Sequence, residues 1–227
     1  MWWVTNQKSG VSALGLQRTL GFGSYKTAWT LLHKLRRAMV RPGREQLSGE
    51  IEVDETIVGG KRRAKNGRYP GRYLDKAIVV IAVEVRDKGI GRIRMRQVPE
   101  PSQKDLLPFV KNVAAPGSKI LTDGCWGYHG LEKMGFGHQR SVTDGQGREI
   151  HDFVMPRVHR VAALLKRWLL GTYQGRVSRD QLDYYLDEFT FRFNRRASPN
   201  RGKLFQRLIE QSVAIEPSTY DELIKSA

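Results

Sequence analysis

Three runs able to form strands follow one another between residues 50 and 98, with no helical period between them. In the first, Ile51-Glu52-Val53-Asp54 alternates with a period of two, so 51 and 53 share one face and 52 and 54 the other. The second, KAIVVIAVEV at 76–85, is strongly β-branched. The third, GRIRMRQVPE, follows the turn signal Asp87-Lys88-Gly89. It alternates Ile93, Met95 and Gln97 with Arg92, Arg94 and Arg96, which predicts a half-exposed strand with a basic face. Ser102 is placed to cap a helix through about Val113, and SKILTDG at 118–124 reads as a short buried strand ending at an aspartate. Helices are predicted over 155–171 and 178–195, the second with Tyr184, Tyr185, Leu186, Phe189 and Phe193 on its apolar side.

Three strands, a helix, a strand and further α/β segments are the order of a ribonuclease-H-like sheet. The expected fold is therefore α/β: a mixed sheet with flanking helices, preceded by a small helix-turn-helix segment. In that architecture the fourth strand pairs beside the first, and Asp54 and Asp123 converge. Two carboxylates held close together repel unless a cation lies between them. Hard divalent ions take oxygen ligands, and Mg²⁺ uses only one or two protein carboxylates. Two such ions about 4 Å apart activate an attacking oxygen and stabilise a leaving one in phosphodiester chemistry. The bland alternative is a solvated acidic sheet face, with Glu52 and Glu55 as structural or electrostatic neighbours.

Charge favours the first reading. Among 227 residues, Lys and Arg number 39 against 23 Asp and Glu, a formal charge of +16, which points to a polyanionic partner, most often nucleic acid. An apolar content of 40% supports a real core. No run approaches the roughly 20 apolar residues of a membrane span, and the start Met1-Trp2-Trp3-Val4 does not read as a signal peptide. The single cysteine, Cys125, rules out an internal disulfide and a cysteine-based zinc site within this chain. A cytoplasmic setting is expected. KRRAKNGRYPGRY at 61–73 holds six basic residues and no acid, with Gly67, Pro70 and Gly71 marking a loop. It reads as a solvated charge run or a phosphate-contacting loop.

Residues 12–39 read as two helices around a tight break. Ser12 to Leu20 is apolar-periodic, Gly21-Phe22-Gly23 interrupts it, and Ser24 is an N-cap for a helix from Tyr25 to about Met39. Ala28, Leu31, Leu32, Leu35 and Met39 form its apolar stripe, with Lys26, Lys34, Arg36, Arg37 and Arg41 as the polar complement. A short helix, a glycine turn and a longer basic helix fit a helix-turn-helix; a plain helical hairpin fits as well. As a DNA reader, the second helix would turn Tyr25, Lys26, Thr27 and Thr30 to the major groove and Lys34 and Arg37 to the backbone. The boundaries expected are a helix-turn-helix segment at 1–45, a catalytic domain at 46–213 and a C-terminal tail at 214–227.

Asp54 in VDET followed by VGG, Asp123 in TDG with Trp126 and Tyr128 after it, VHRVAALLKRWLLGTYQG and YLDEFTFRFNRR together resemble a DDE transposase of a bacterial insertion sequence. The likeness is to the ISXO2-like subgroup, in which a lysine follows the third active-site position by two helical turns, and it spans roughly residues 11–213. It implies that Asp54, Asp123, His159 and Lys166 are catalytic, the first three binding Mg²⁺ or Mn²⁺. Lys166 would contact DNA phosphate near the scissile bond. It further implies cleavage at element ends, strand transfer into target DNA, double-stranded DNA as partner, and a homodimer or larger synaptic assembly.

Two departures accompany the resemblance. The third residue is normally Glu; here His159 stands in its place, with 35 residues between it and Asp123 and seven positions before Lys166, in an Asp-Asp-His-Lys variant. Glu149 and Asp152 are the other acids within reach in sequence. The family also commonly opens with a zinc ribbon, and the chain is expected to begin just before the helix-turn-helix without one. Both departures feed an alternative, a DNA-binding protein that keeps the fold and lacks catalysis. A metal-dependent nuclease or resolvase would use the same aspartates without rejoining strands.

Overall fold

The structure is a computed structural model and describes residues 1–41, 43–59, 76–87, 89–141, 155–175 and 177–225. Its elements are helices α1 Trp2–Asn6, α2 Ala13–Leu20 and α3 Tyr25–Ala38, then strands β1 Glu50–Val58, β2 Ala77–Arg86 and β3 Gly89–Val98. Helix α4 Gln103–Val113, strands β4 Lys119–Asp123 and β5 Gly137–Ser141, and helices α5 Pro156–Tyr173, α6 Leu182–Asn194, α7 Arg201–Ala214 and α8 Tyr220–Lys225 follow. Two compact units result: residues 45–166, and residues 1–44 with 167–227. No described helix is long and apolar enough to cross a membrane.

The first unit is built on a five-stranded sheet of order β3-β2-β1-β4-β5. β1 pairs antiparallel with β2 and β2 with β3, whereas β1 and β4, and β4 and β5, are parallel. This is the ribonuclease-H-like arrangement expected from the order of the strands. The β-branched run of β2 is buried on both faces over eight successive residues, so the sheet is a middle layer. Ile51 and Val53 join Val80, Ala82, Leu106, Phe109 and Val110 in one core, which places α4 against the 51/53 face of β1. Glu52 and Asp54 lie on the opposite face, as the alternation requires. The GHQRS segment of β5 is too polar to declare itself a strand in the sequence.

The expectation of a half-exposed β3 with a basic face is corrected in part. Arg94 is 6% exposed and donates to the carbonyls of Ile93 and Glu45. Arg92 forks onto Glu84 through Nε at 3.2 Å and Nη2 at 2.8 Å. The Ser48 and Arg92 amides also donate to Glu84, and these donors hold its carboxyl down at about 2 despite burial. Arg96 remains exposed.

The second unit is helical. Gly21 ends α2 in the left-handed region at φ 68°, which makes the turn into α3 possible without side-chain strain. Leu16, Ala28, Leu32, Leu35 and Met39 pack with Phe191 of α6 and Leu208 of α7. Ser24 occupies the N-cap position of α3, but its side chain makes no capping bond. Arg36, expected among the solvent-facing cations, is 2% exposed. Its Nε donates to Glu188 Oε2 at 2.8 Å, and Arg192 donates to Glu188 Oε1 at 2.7 Å. Tyr173 adds a hydroxyl at 3.1 Å. A buried carboxylate between two guanidiniums compensates its own desolvation, and only the fold could reveal that pairing. In the segment expected to be a tail, α8 buries Leu223.

Candidate active site

β1 brings the acids of the opening strand to the site. Its last pair with β4 is Val53 with Thr122, so Asp54 and Asp123 each stand one residue beyond that pair on neighbouring parallel strands. They interact electrostatically, and the charge of Asp123, second to burial, raises the Asp54 carboxyl above its ordinary range. Asp54 Oδ1 accepts the Glu55 amide at 2.8 Å. Its Oδ2 lies 3.3 Å from Nε2 of His159 in the first turns of α5. Asp54 is half-buried and His159 is exposed, so the pair opens to solvent. Lys166, also exposed, follows on α5 by seven residues, about 10 Å along the axis.

Glu55 adds a further carboxylate. Glu55, Asp123 and Cys125 bring one ligand atom each within 4.8 Å of one another. Burial, with the charges of Asp123 and Asp54, pushes the Glu55 carboxyl up to about 7. Its Oε1 is buried and makes no hydrogen bond of good geometry. The fully buried Tyr128 hydroxyl lies near enough to interact, and burial together with Glu55 raises it well above its usual range. Gly127 permits that approach: a Cβ there would stand 2.6 Å from the Pro101 carbonyl oxygen and 2.7 Å from a Leu106 methyl. Periodicity gave no reason to join Glu55 to Asp54, since successive strand residues face opposite ways; its charge next to Asp54 in sequence was the only signal.

These groups fit a hard divalent cation. Asp54 and Glu55 are both held above their ordinary range by burial and mutual repulsion, which a cation relieves. An orphaned buried carboxylate oxygen needs a partner. Cys125 is a poor ligand, because burial and the nearby acids raise its thiol and keep it protonated. Its amide instead donates to Asp123 Oδ1 at 3.0 Å. Glu149, Asp152 and the basic loop 61–73 lie outside the described residues.

The expected DNA-reading residues lie apart in sequence, on α3. Tyr25, Lys26 and Thr27 are exposed at its start, Lys34 is exposed farther on, and Thr30 and Arg37 are half-buried. The Thr30 hydroxyl donates to the Lys26 carbonyl at 2.7 Å. The Lys26 ammonium stands 3.7 Å over the ring of Tyr220 from α8. Four of the six named side chains thus face solvent.

The sequence profile of the ISXO2-like transposase domain matches residues 46–194. No curated protein matches the chain in sequence. Among solved structures, the simian T-cell lymphotropic virus intasome in complex with PP2A regulatory subunit B56 gamma is similar at 13% identity and a TM-score of 0.35, covering 90% of this chain and 68% of that one. The Mos1 strand transfer complex is similar at 13% identity and a TM-score of 0.32, covering 87% of this chain and 61% of that one.

Proposed function

Because the chain belongs to the ISXO2-like transposase family, we propose that it cuts DNA at the ends of a bacterial insertion sequence and joins the freed 3′-OH to target DNA. Asp54, Asp123 and His159 hold Mg²⁺ or Mn²⁺, with Glu55 beside them. Bound there, the ions lower the barrier to attack on a phosphodiester by polarising the attacking and leaving oxygens. The carboxylates fix where the ions sit, and His159 completes the set with a nitrogen donor. Lys166, on the same helix, holds a DNA phosphate by charge. Helix α3 reads the element end through Tyr25, Lys26, Thr27 and Thr30, with Lys34 and Arg37 on the backbone. The protein acts in the cytoplasm on double-stranded DNA, as a dimer or larger assembly that brings two ends together.

The observation that supports this reading is the meeting of Asp54 with His159 at 3.3 Å, together with the electrostatic reach of Asp54 to Asp123. A strand-transfer assay on DNA carrying the element ends, in Mg²⁺ and in Mn²⁺, tests it. Cleaved and joined products are expected. Binding without cleavage in either metal leaves a DNA-binding protein that has lost catalysis, and cleavage without joining leaves a nuclease or resolvase.

A further inference from the structure

The start of α5 has a capping problem that its own sequence does not solve. Met155, immediately before the helix, accepts the His159 amide through its carbonyl and so occupies the cap position, but its side chain has no oxygen. Pro156 has no N–H. The amides of Arg157 and Val158 are left without intrahelical acceptors. Both donate to Oε2 of Glu52 at 2.8 Å. The Arg157 guanidinium donates to Oε1 of the same carboxylate at 3.1 Å. Glu52 is 1% exposed, so a strand residue caps this helix with a buried charge at its positive end.

Glu52 and Asp54 share one face of β1, and their partners are consecutive on α5. Glu52 holds the amides of 157 and 158; Asp54 meets the ring of 159. The carboxylate at 52 therefore fixes the height and rotation of α5 at the residue where the helix enters the site. We infer that Glu52 is a positioning residue for metal binding, setting His159 against Asp54 by clamping the first turn of α5. This rests on the metal site proposed above. A role in stability alone predicts the same contacts, and the two are separated by whether the effect of Glu52 passes through His159.

The experiment titrates Mn²⁺ calorimetrically into the wild type, Glu52→Ala, Glu52→Gln, His159→Ala and the Glu52→Ala/His159→Ala double variant, each checked for native circular dichroism. Glu52→Ala is expected to weaken Mn²⁺ binding by roughly 10–100-fold, the usual effect of losing a group that orients a ligand. Glu52→Gln keeps an oxygen for the two amides, loses less, and remains informative if the alanine variant does not fold. In the His159→Ala background, Glu52→Ala should add almost nothing, because coupled residues are not additive. Full additivity of the two losses overturns the inference.

The ring-proton resonances of His159 read the same placement without metal. Asp54→Asn should shift them in the wild type and much less in Glu52→Ala; an equal shift in both overturns the positioning role. A wild type that binds no Mn²⁺ overturns the metal site itself, while the resonances still decide for or against the clamp.

Discussion

His159 Nε2 and Asp54 Oδ2 stand 3.3 Å apart, a histidine against an acid from the strand that carries the charge cluster. A neutral imidazole brings no negative charge, so a metal held by this pair and Asp123 is bound by less charge than in a three-carboxylate site. Nitrogen also suits Mn²⁺ better than Mg²⁺. Activity should be stronger in Mn²⁺. His159→Glu should restore Mg²⁺ use, and His159→Ala should lose activity in both metals. Full Mg²⁺ activity of His159→Ala would move the third ligand elsewhere, with Glu149 and Asp152 next to test.

Asp54→Asn and Asp123→Asn should each abolish cleavage while DNA affinity stays nearly unchanged. Each substitution removes a ligand and adds no repulsion toward phosphate. Cleavage and binding are measured on one preparation, and wild-type cleavage by either variant sinks the metal reading.

The carboxyl of Glu55 titrates at about 7 in the fold against an ordinary 4.5. The folded protein holds this proton where the unfolded chain has lost it, so the contribution to metal-free stability is full below pH 4.5 and is lost as the pH rises through 7. The difference is at most about 3 kcal/mol. Glu55→Gln should therefore melt higher than the wild type at pH 8 without metal and equal it at pH 4. Added Mn²⁺ should narrow the gap at pH 8. Equal melting at both pH values without metal would show that Glu55 is not strained.

Lys34→Ala should weaken binding to all DNA sequences and lower the salt slope by about one counterion. Lys26→Ala or Thr27→Ala should alter which sequence is preferred. Unchanged footprints and affinities in a protein lacking residues 1–40 would reduce α3 to a packing helix. Because Lys26 stands over Tyr220, Tyr220→Ala should free its ammonium and raise affinity modestly.

Glu188→Ala should cost about 3–5 kcal/mol in urea unfolding, since it leaves Arg36 buried without its counter-charge. A loss under 1 kcal/mol would mean that water reaches the pair.

Local pattern carried the succession of β1 to β4 along the chain, through the alternation in β1 and the β-branched run of β2, but not the polar β5. It also placed Asp54 within a strand and Asp123 at the end of another, since an acid set in or after an apolar run is visible in one dimension. Pairing across the chain was not visible. Arg36 reads as one more surface cation until α6 supplies Glu188, and burial without a partner would have forbidden it. Glu52 and Glu55 read alike as charged neighbours. Tertiary structure separates them: one is clamped on the amides of α5, and the other faces Asp123 with an unsatisfied oxygen. Periodicity fixes which face a side chain takes, but what waits on that face depends on a segment a hundred residues away.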